Sequence, residues 1–147
     1  NYTPSGMRQR IKEIKGITVI EDCYNASPDS QKAGLNSLIK IAKGRKIAVL
    51  GDMLELGSYS ETAHRNVGEY AAECEIDMLF TYGKESEFMA DSAQKAGLKA
   101  VFSFTDKSEL TKALANELKN GDTVLFKASR GMKLEEIFQE LYKLWNV

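Results

Sequence analysis

The segment Lys127-Ala128-Ser129-Arg130 sets two cations and a hydroxyl within four residues, after the apolar run "TVLF" and before a helical pattern. A strand that ends this way can grip a carboxylate or phosphate through backbone N–H groups, the Ser129 hydroxyl and the Arg130 guanidinium. Three other polar clusters occupy the same kind of place, just past an apolar run. Asp22, Tyr24, Asn25 and Ser27 follow "ITVI", Asp52 and Glu55 lie between Gly51 and Gly57 in "GDMLELG", and Gly83 and Lys84 follow "MLFTY". Acids, amides, hydroxyls and cations gathered at one edge would suit a polar or charged small molecule.

Each cluster also has a purely structural explanation. Asp22 and Ser27 stand where a turn and a helix cap are needed, and Asn25 suits a left-handed turn position. Gly51 and Gly57 can serve tight turns, and their spacing is not G-x-G-x-x-G. "YGKES" lacks the upstream glycine and the following Ser/Thr of a phosphate-binding P-loop. His64 is the single histidine, and no His/Cys cluster with zinc spacing accompanies it. Cys23 has no histidine near it in sequence and reads as a small residue at a strand end. Tyr142 and Trp145 belong to the packing face of a terminal helix. No complete catalytic machinery is present.

The elements that must position these residues follow from hydrophobic period. Runs at 16–23, 45–52, 76–83, 98–104 and 122–128 are short and rich in β-branched or aromatic residues, as strands are. Between them the spacing is helical: Leu35, Leu38, Ile39 and Ala42 share a face, as do Ala63, Val67, Tyr70 and Ala71, and then Phe88, Met89 and Ala93. Leu110, Leu114 and Leu118 form a fourth face, and Leu134, Ile137, Phe138, Leu141 and Leu144 a fifth. Pro28-Asp29-Ser30, Ser60-Glu61 and the Asp106/Glu109 pair mark helix starts, and Gly44, Gly97 and Gly121 mark stops. "IAVL" and "TVLF" do not alternate in polarity, as expected of parallel strands covered on both faces. The pattern predicts an α/β domain of three layers, αβα, built from right-handed βαβ units on a mostly parallel sheet of about six strands. Residues 7–14 supply the sixth strand, at an edge and antiparallel. In such a sheet ligands bind outside the carboxyl ends of the strands, which is where the four polar clusters fall.

At 147 residues the chain is one ordinary domain. Its net charge of −1 gives no general attraction to nucleic acid or anionic membrane. No apolar stretch is long enough for a membrane span, and the N-terminus has no signal-peptide core. Two cysteines favour free thiols in a reducing compartment. The absence of an initial methionine fits a segment of a longer protein.

Taken in order, "SGMR", "EDCYNASPDS", "GRKIAVLGDMLELG", "ETAHRNVGEYAA" and "GDTVLFKASRGMKLEE" resemble the C-terminal portion of the Mur ligase family over nearly the whole chain. The Tyr-Asn-Ala-x-Pro and Leu-Gly-Asp-Met-x-Glu-Leu-Gly motifs are specific within the wider superfamily that includes folylpolyglutamate synthetase. They are similar to those of the branch that joins D-alanyl-D-alanine to UDP-N-acetylmuramoyl-tripeptide in peptidoglycan synthesis. The resemblance implies a Rossmann-like C-terminal domain of a cytoplasmic, ATP-dependent amide-bond ligase. Residues 1–8 would be a remnant of the interdomain linker and residues 9–147 the domain.

In that family an N-terminal domain holds the UDP-sugar, and a central domain holds the P-loop, Mg2+ and a carbamylated lysine. ATP activates the tripeptide carboxylate as an acyl phosphate, which the dipeptide amine attacks. The C-terminal domain closes over the nucleotide and receives the dipeptide. Carried over by motif, Arg8 faces the nucleotide, Tyr24 and Asn25 lie near its adenosine, and Asp52 lies near its ribose or phosphates. Ser129 and Arg130 lie near the carboxylate end of the dipeptide, and Lys127 orients their loop or adds positive potential. Ala128 replaces the usual glycine of that motif, and Ser27 a common asparagine. The N-terminal and central domains of the same chain are the implied partners, with no nucleic acid and no membrane span. Alone, these residues are expected to be catalytically inactive. The competing expectation is a stand-alone flavodoxin-like module that binds a small molecule or a protein.

Overall fold

The computed structural model describes residues 9–23 and 26–146; Arg8, Tyr24 and Asn25 lie outside the described residues, as does the rest of 1–8, the expected linker remnant. In chain order the elements are β1 Arg10–Ile14, β2 Ile17–Asp22, α1 Pro28–Ile41, β3 Lys46–Gly51, α2 Ser60–Glu73 and β4 Met78–Tyr82. They continue with α3 Ser86–Lys95, β5 Val101–Phe104, α4 Lys107–Glu117, β6 Thr123–Lys127 and α5 Glu135–Leu144. Single 3-10 turns at Gly57–Tyr59 and Arg130–Met132 precede α2 and α5. The sheet order is β1-β2-β6-β3-β4-β5, parallel throughout except for β1 against β2.

Burial of alternate strand residues on the two faces makes three layers. Val19, Ile47, Val124 and Phe126 pack with α4 and α5 through Leu110, Leu114, Ile137 and Leu141. Ile20, Ala48, Leu50, Leu79 and Leu125 pack on the other side with α1, α2 and α3 through Leu35, Leu38, Val67 and Met89. Central strands buried on both faces cannot alternate in polarity, so "IAVL" and "TVLF" run continuously apolar. Ile39 and Leu144, expected on buried helix faces, are exposed instead.

Local chemistry sets the boundaries. β1 and β2 are joined by Lys15 and Gly16, both with positive φ, the two-residue turn whose twist matches a hairpin. Gly16 suits that turn because its φ of 76° favours glycine, and a Cβ there would also displace the Asn120 side chain. Charged residues and a half-exposed Ile11 keep β1 a tolerable sheet edge. Pro28 opens α1, where Ser27 and Ser30 cap each other reciprocally. Asp106 caps α4 by accepting the Glu109 N–H at 3.0 Å. β5 begins three residues later than its apolar pattern predicts. The N–H groups of Gly97 and Leu98 close α3 by bonding to the carbonyls of Gln94 and Ala93, with Gly97 left-handed, so this stretch belongs to a Schellman cap. Gly44 does not cap α1, which ends at Ile41 with Ala42 as its cap. Its lack of a side chain lets the Gly121 carbonyl approach, where a Cβ would stand 2.4 Å away. Among the described residues no helix is long and apolar enough to cross a membrane.

Candidate functional site

β6 lies between β2 and β3, yet the three strands lead to different faces. The chain leaves β2 and β3 toward α1 and α2 on one side, and leaves β6 toward α5 on the other. Loops that diverge in this way open a crevice at the carboxyl edge, the usual ligand position in such sheets. The Lys127–Arg130 segment sits at that point.

Lys127 itself turns away from solvent. It is 3 % exposed, and its ammonium lies 3.0 Å from the carboxylate of Asp22, its register partner on β2. Gly34 of α1 packs over the Lys127 side chain, with room for a Cβ only 2.9 Å from its Cδ. Asp22 also accepts a long hydrogen bond from Gln9. The pair is on the α1 side of the sheet, where it ties the two strand ends beneath the loop that follows.

The "GDMLELG" loop is pinned residue by residue. The Asp52 carboxylate accepts the Ser86 N–H and hydroxyl, both at 2.7 Å, and the Glu85 N–H at 3.3 Å. These donors are at the N-terminus of α3, where a buried negative charge meets the positive end of the helix dipole. Gly83 makes this approach possible, since a Cβ at that position would lie 2.4 Å from the Asp52 carboxylate. The Asp52 N–H bonds to the Tyr82 carbonyl, the Met53 N–H to His64 Nε2, and the Leu54 N–H to Ser129 Oγ. Three consecutive N–H groups are therefore taken, and this stretch is not a phosphate cradle. Glu55 then adopts a left-handed conformation (φ 65°) and turns the chain toward α2.

Ser129 is held by both its main chain and its side chain. Its N–H donates to the Asp52 carbonyl at 3.1 Å, and its hydroxyl oxygen accepts from Leu54 at 2.9 Å. A hydroxyl that accepts one such bond keeps its proton to donate elsewhere, and no described residue takes it. Arg130 follows, exposed, on the 3-10 turn. The N–H groups of Met132 and Lys133 close that turn, and Glu135 and Glu136 occupy the first turn of α5. An anion here would meet the Ser129 hydroxyl and the Arg130 guanidinium, while the Met132 and Lys133 N–H groups are already bonded within the turn. Ala128, in the place expected of a glycine, is buried against Gly51.

Arg130 also borders a cavity of about 350 Å³ on the α5 side, lined by Arg10, Lys12, Glu21, Cys23 and Tyr142 among others. At its floor the buried Glu21 carboxylate accepts the Tyr142 hydroxyl at 2.6 Å and pairs with Lys12 at 3.1 Å. Burial, and then the Glu21 charge, push the Tyr142 phenol well above its ordinary range. Burial, aided by Glu135 and Asp22, pushes the Cys23 thiol up as well, so it stays protonated and unreactive. This agrees with its structural interpretation.

The structure therefore brings the Asp52 main chain against Ser129, with Arg130 next on the same loop, and sets the Lys127–Asp22 ion pair at the strand ends before it. Lys84 is exposed beyond Gly83. Sequence reasoning missed His64, Glu21 and Tyr142 as members of the edge, since no local signal names their partners. Among the described residues no group of three His, Cys, Asp or Glu could hold a metal ion. With the loop N–H groups taken, the described residues alone do not fit a magnesium–triphosphate group.

Fold and loop geometry together define a doubly wound α/β domain whose β6 loop carries Ser129 and Arg130 at the strand order's switch point. The chain belongs to the Mur ligase, glutamate ligase domain family, whose model matches residues 7–130. It is 46% identical over 140 residues to the UDP-N-acetylmuramoyl-tripeptide--D-alanyl-D-alanine ligase of Bacillus subtilis (strain 168), covering 93% of this chain and 31% of that enzyme. It is 33% identical to the ligase of the same name from Synechocystis sp., with 94% and 30% covered. Among solved structures, MurF ligase from Thermotoga maritima in complex with ADP superposes with a TM-score of 0.80 at 30% identity, covering 99% of this chain and 32% of that one. MurF from Acinetobacter baumannii superposes with a TM-score of 0.85 at 27% identity, with 92% and 30% covered. The chain spans about a third of the length of these relatives.

Proposed function

We propose that this chain is the C-terminal, acceptor-binding domain of an ATP-dependent ligase that joins D-alanyl-D-alanine to UDP-N-acetylmuramoyl-tripeptide. The observation that carries the proposal is the crevice at Ser129 and Arg130 on a domain 46% identical to a ligase of that name. The dipeptide carboxylate accepts the Ser129 proton and pairs with Arg130, which directs the dipeptide amine toward an activated carboxyl held by the rest of the enzyme. The domain's contribution is orientation and exclusion of water from a hydrolysable intermediate.

Lys127 supports the grip through its ion pair with Asp22. Asp52, expected near the ribose or phosphates, has its carboxylate occupied by Ser86 and Glu85 and instead supports the grip by fixing the loop that holds Ser129. Arg8, Tyr24 and Asn25 are assigned to the nucleotide side, with ATP and Mg2+ held mainly by the central domain. Residues 1–8 are assigned to the linker and 9–147 to the domain. Free thiols at Cys23 and Cys74 support a cytoplasmic location.

The test is steady-state kinetics on the full-length protein. Loss of a hydrogen-bonded charge contact costs about 1.5–3 kcal/mol, so Arg130→Ala should raise the KM for D-alanyl-D-alanine roughly tenfold to a hundredfold and leave the KM for ATP nearly unchanged. An unchanged dipeptide KM would remove Arg130 from the site. The 147-residue chain alone should release no phosphate above background when given all three substrates, and turnover by it would overturn the assignment to a partial active site.

A further inference from the structure

The geometry points to His64 as a positioning residue for the Ser129 hydroxyl, an inference that rests on the acceptor-binding role proposed above. His64 is fully buried in α2 among Ala63, Val67 and the surrounding apolar layer. Its Nε2 accepts the Met53 N–H at 3.0 Å, and its Nδ1 lies 2.8 Å from the Ser60 carbonyl oxygen. A backbone N–H can only donate and a carbonyl can only accept, so these two partners fix one tautomer, with the proton on Nδ1.

Core filling does not explain the choice of histidine. A leucine would occupy the same apolar layer without two buried nitrogens, each of which costs free energy unless partnered. The imidazole instead provides a partner for the Met53 N–H, which points inward after β3 ends and has no strand to pair with. The peptide groups on either side of Met53 are the ones that hold Ser129. The Asp52 carbonyl accepts the Ser129 N–H at 3.1 Å, and the Leu54 N–H donates to Ser129 Oγ at 2.9 Å. Rotation of the Met53 peptide would disturb both contacts. His64 thus sets the angle at which Leu54 occupies a lone pair of Ser129 and so aims the hydroxyl proton into the crevice. Ser60 extends the same support, since its hydroxyl lies 3.2 Å from Nδ1 and donates to Glu85 at 2.7 Å, next to the Asp52 anchor.

The experiment is a double-mutant cycle in the full-length ligase, measured well below each variant's melting temperature. His64→Leu keeps the volume and removes the acceptor, and should raise the KM for D-alanyl-D-alanine about tenfold with the KM for ATP within about twofold of wild type. His64→Gln, which can both accept from Met53 and donate to Ser60, should restore most of the loss. In Ser129→Ala the contact is already absent, so adding His64→Leu should change the dipeptide KM little further. Multiplicative effects, or equal shifts in both KM values, would overturn the inference. Two measurements on the 147-residue chain judge His64 independently of activity. Long-range 1H–15N spectra should show the Nδ1–H tautomer, and His64→Leu should speed amide exchange at Met53 and Leu54 about a hundredfold or more. An Nε2–H tautomer, or unchanged exchange, would overturn the assignment even if the enzyme proved to use a different acceptor. A wild-type enzyme that ignores D-alanyl-D-alanine would instead overturn the proposed reaction.

Discussion

The Lys127 ammonium lies 3.0 Å from the Asp22 carboxylate across neighbouring parallel strands, and both side chains are withdrawn from solvent. A cation in the motif most suggestive of ligand binding is therefore engaged inside the domain. Removing one member of a buried pair leaves the other charged and desolvated, at a cost of about 3–5 kcal/mol. Lys127→Ala should lower the unfolding free energy of the ligand-free 147-residue chain by about that much in urea titrations. A loss under about 1 kcal/mol, within the range of exposed pairs, would return Lys127 to the list of direct ligand contacts.

Much of this was legible in the sequence, and the exceptions share a cause. Strands and helices follow from apolar period because burial on one or both sides dictates it, and the edge location of β1 followed from its charged residues. The residue types at the β6 end pointed to an anion grip, which is part of the proposed function. What could not be read were contacts between groups far apart along the chain. Asp52 looks like a free acid until Gly83, thirty-one positions on, is seen to admit it to the start of α3. In sequence His64 is a lone histidine without a metal cluster, until the Met53 N–H arrives from the preceding loop. Tyr142 meets Glu21 only because α5 crosses the sheet face that β2 lines. Local pattern encodes elements, whereas the partners of buried polar groups are set by topology.

Gly51 and Ala128 form a pair whose sizes are matched. A Cβ built on Gly51 would stand 2.7 Å from that of Ala128, and both are buried. Gly51→Ala should destabilise the chain by about 1–3 kcal/mol through overpacking. Ala128→Gly should cost about 1 kcal/mol from added chain entropy. The double variant should be more stable than Gly51→Ala alone, because the clash has been removed. Thermal melts of the four proteins give the coupling, and simple additivity would show that the strain is relieved elsewhere.

At the opposite edge of the sheet, Arg45 binds Asp122 through two hydrogen bonds of 2.9 and 2.7 Å and reaches Glu117 at 3.2 Å. Burial alone would raise the Asp122 pKa, but the bonds from Arg45 and the Lys119 N–H outweigh it and hold the carboxyl below its ordinary value. A depressed folded-state pKa means that the carboxylate contributes stability above its unfolded value, about 3.9, and loses it as pH falls through the folded one. Melting temperature should therefore drop on acidification below about pH 4. Asp122→Asn should be less stable at neutral pH and show a flatter acid limb. An acid limb identical to wild type would assign acid sensitivity to other carboxylates.

Tyr142 gives the alkaline counterpart. Its hydroxyl donates to Glu21 at 2.6 Å, and ionising it would bury a second negative charge beside that carboxylate. Burial and then Glu21 hold the phenol above its ordinary range. With a raised folded-state pKa, the associated stability is fully present below the unfolded value of about 10 and is lost as pH rises past it, because the unfolded chain then releases a proton that the folded chain retains. Tyrosinate absorbance of the wild type should therefore include a late phase, from Tyr142, that accompanies unfolding. Tyr142→Phe should abolish the late phase and flatten the alkaline limb of stability. It should also leave the buried Glu21 carboxylate without its hydroxyl donor, at a cost of about 1–3 kcal/mol at neutral pH, with Lys12 its remaining partner among the described residues. Glu21→Gln removes the neighbouring charge but keeps an acceptor, so its late phase should move to lower pH. A late phase that stayed in place in Glu21→Gln would make burial alone, and not the carboxylate, the cause of the raised phenol.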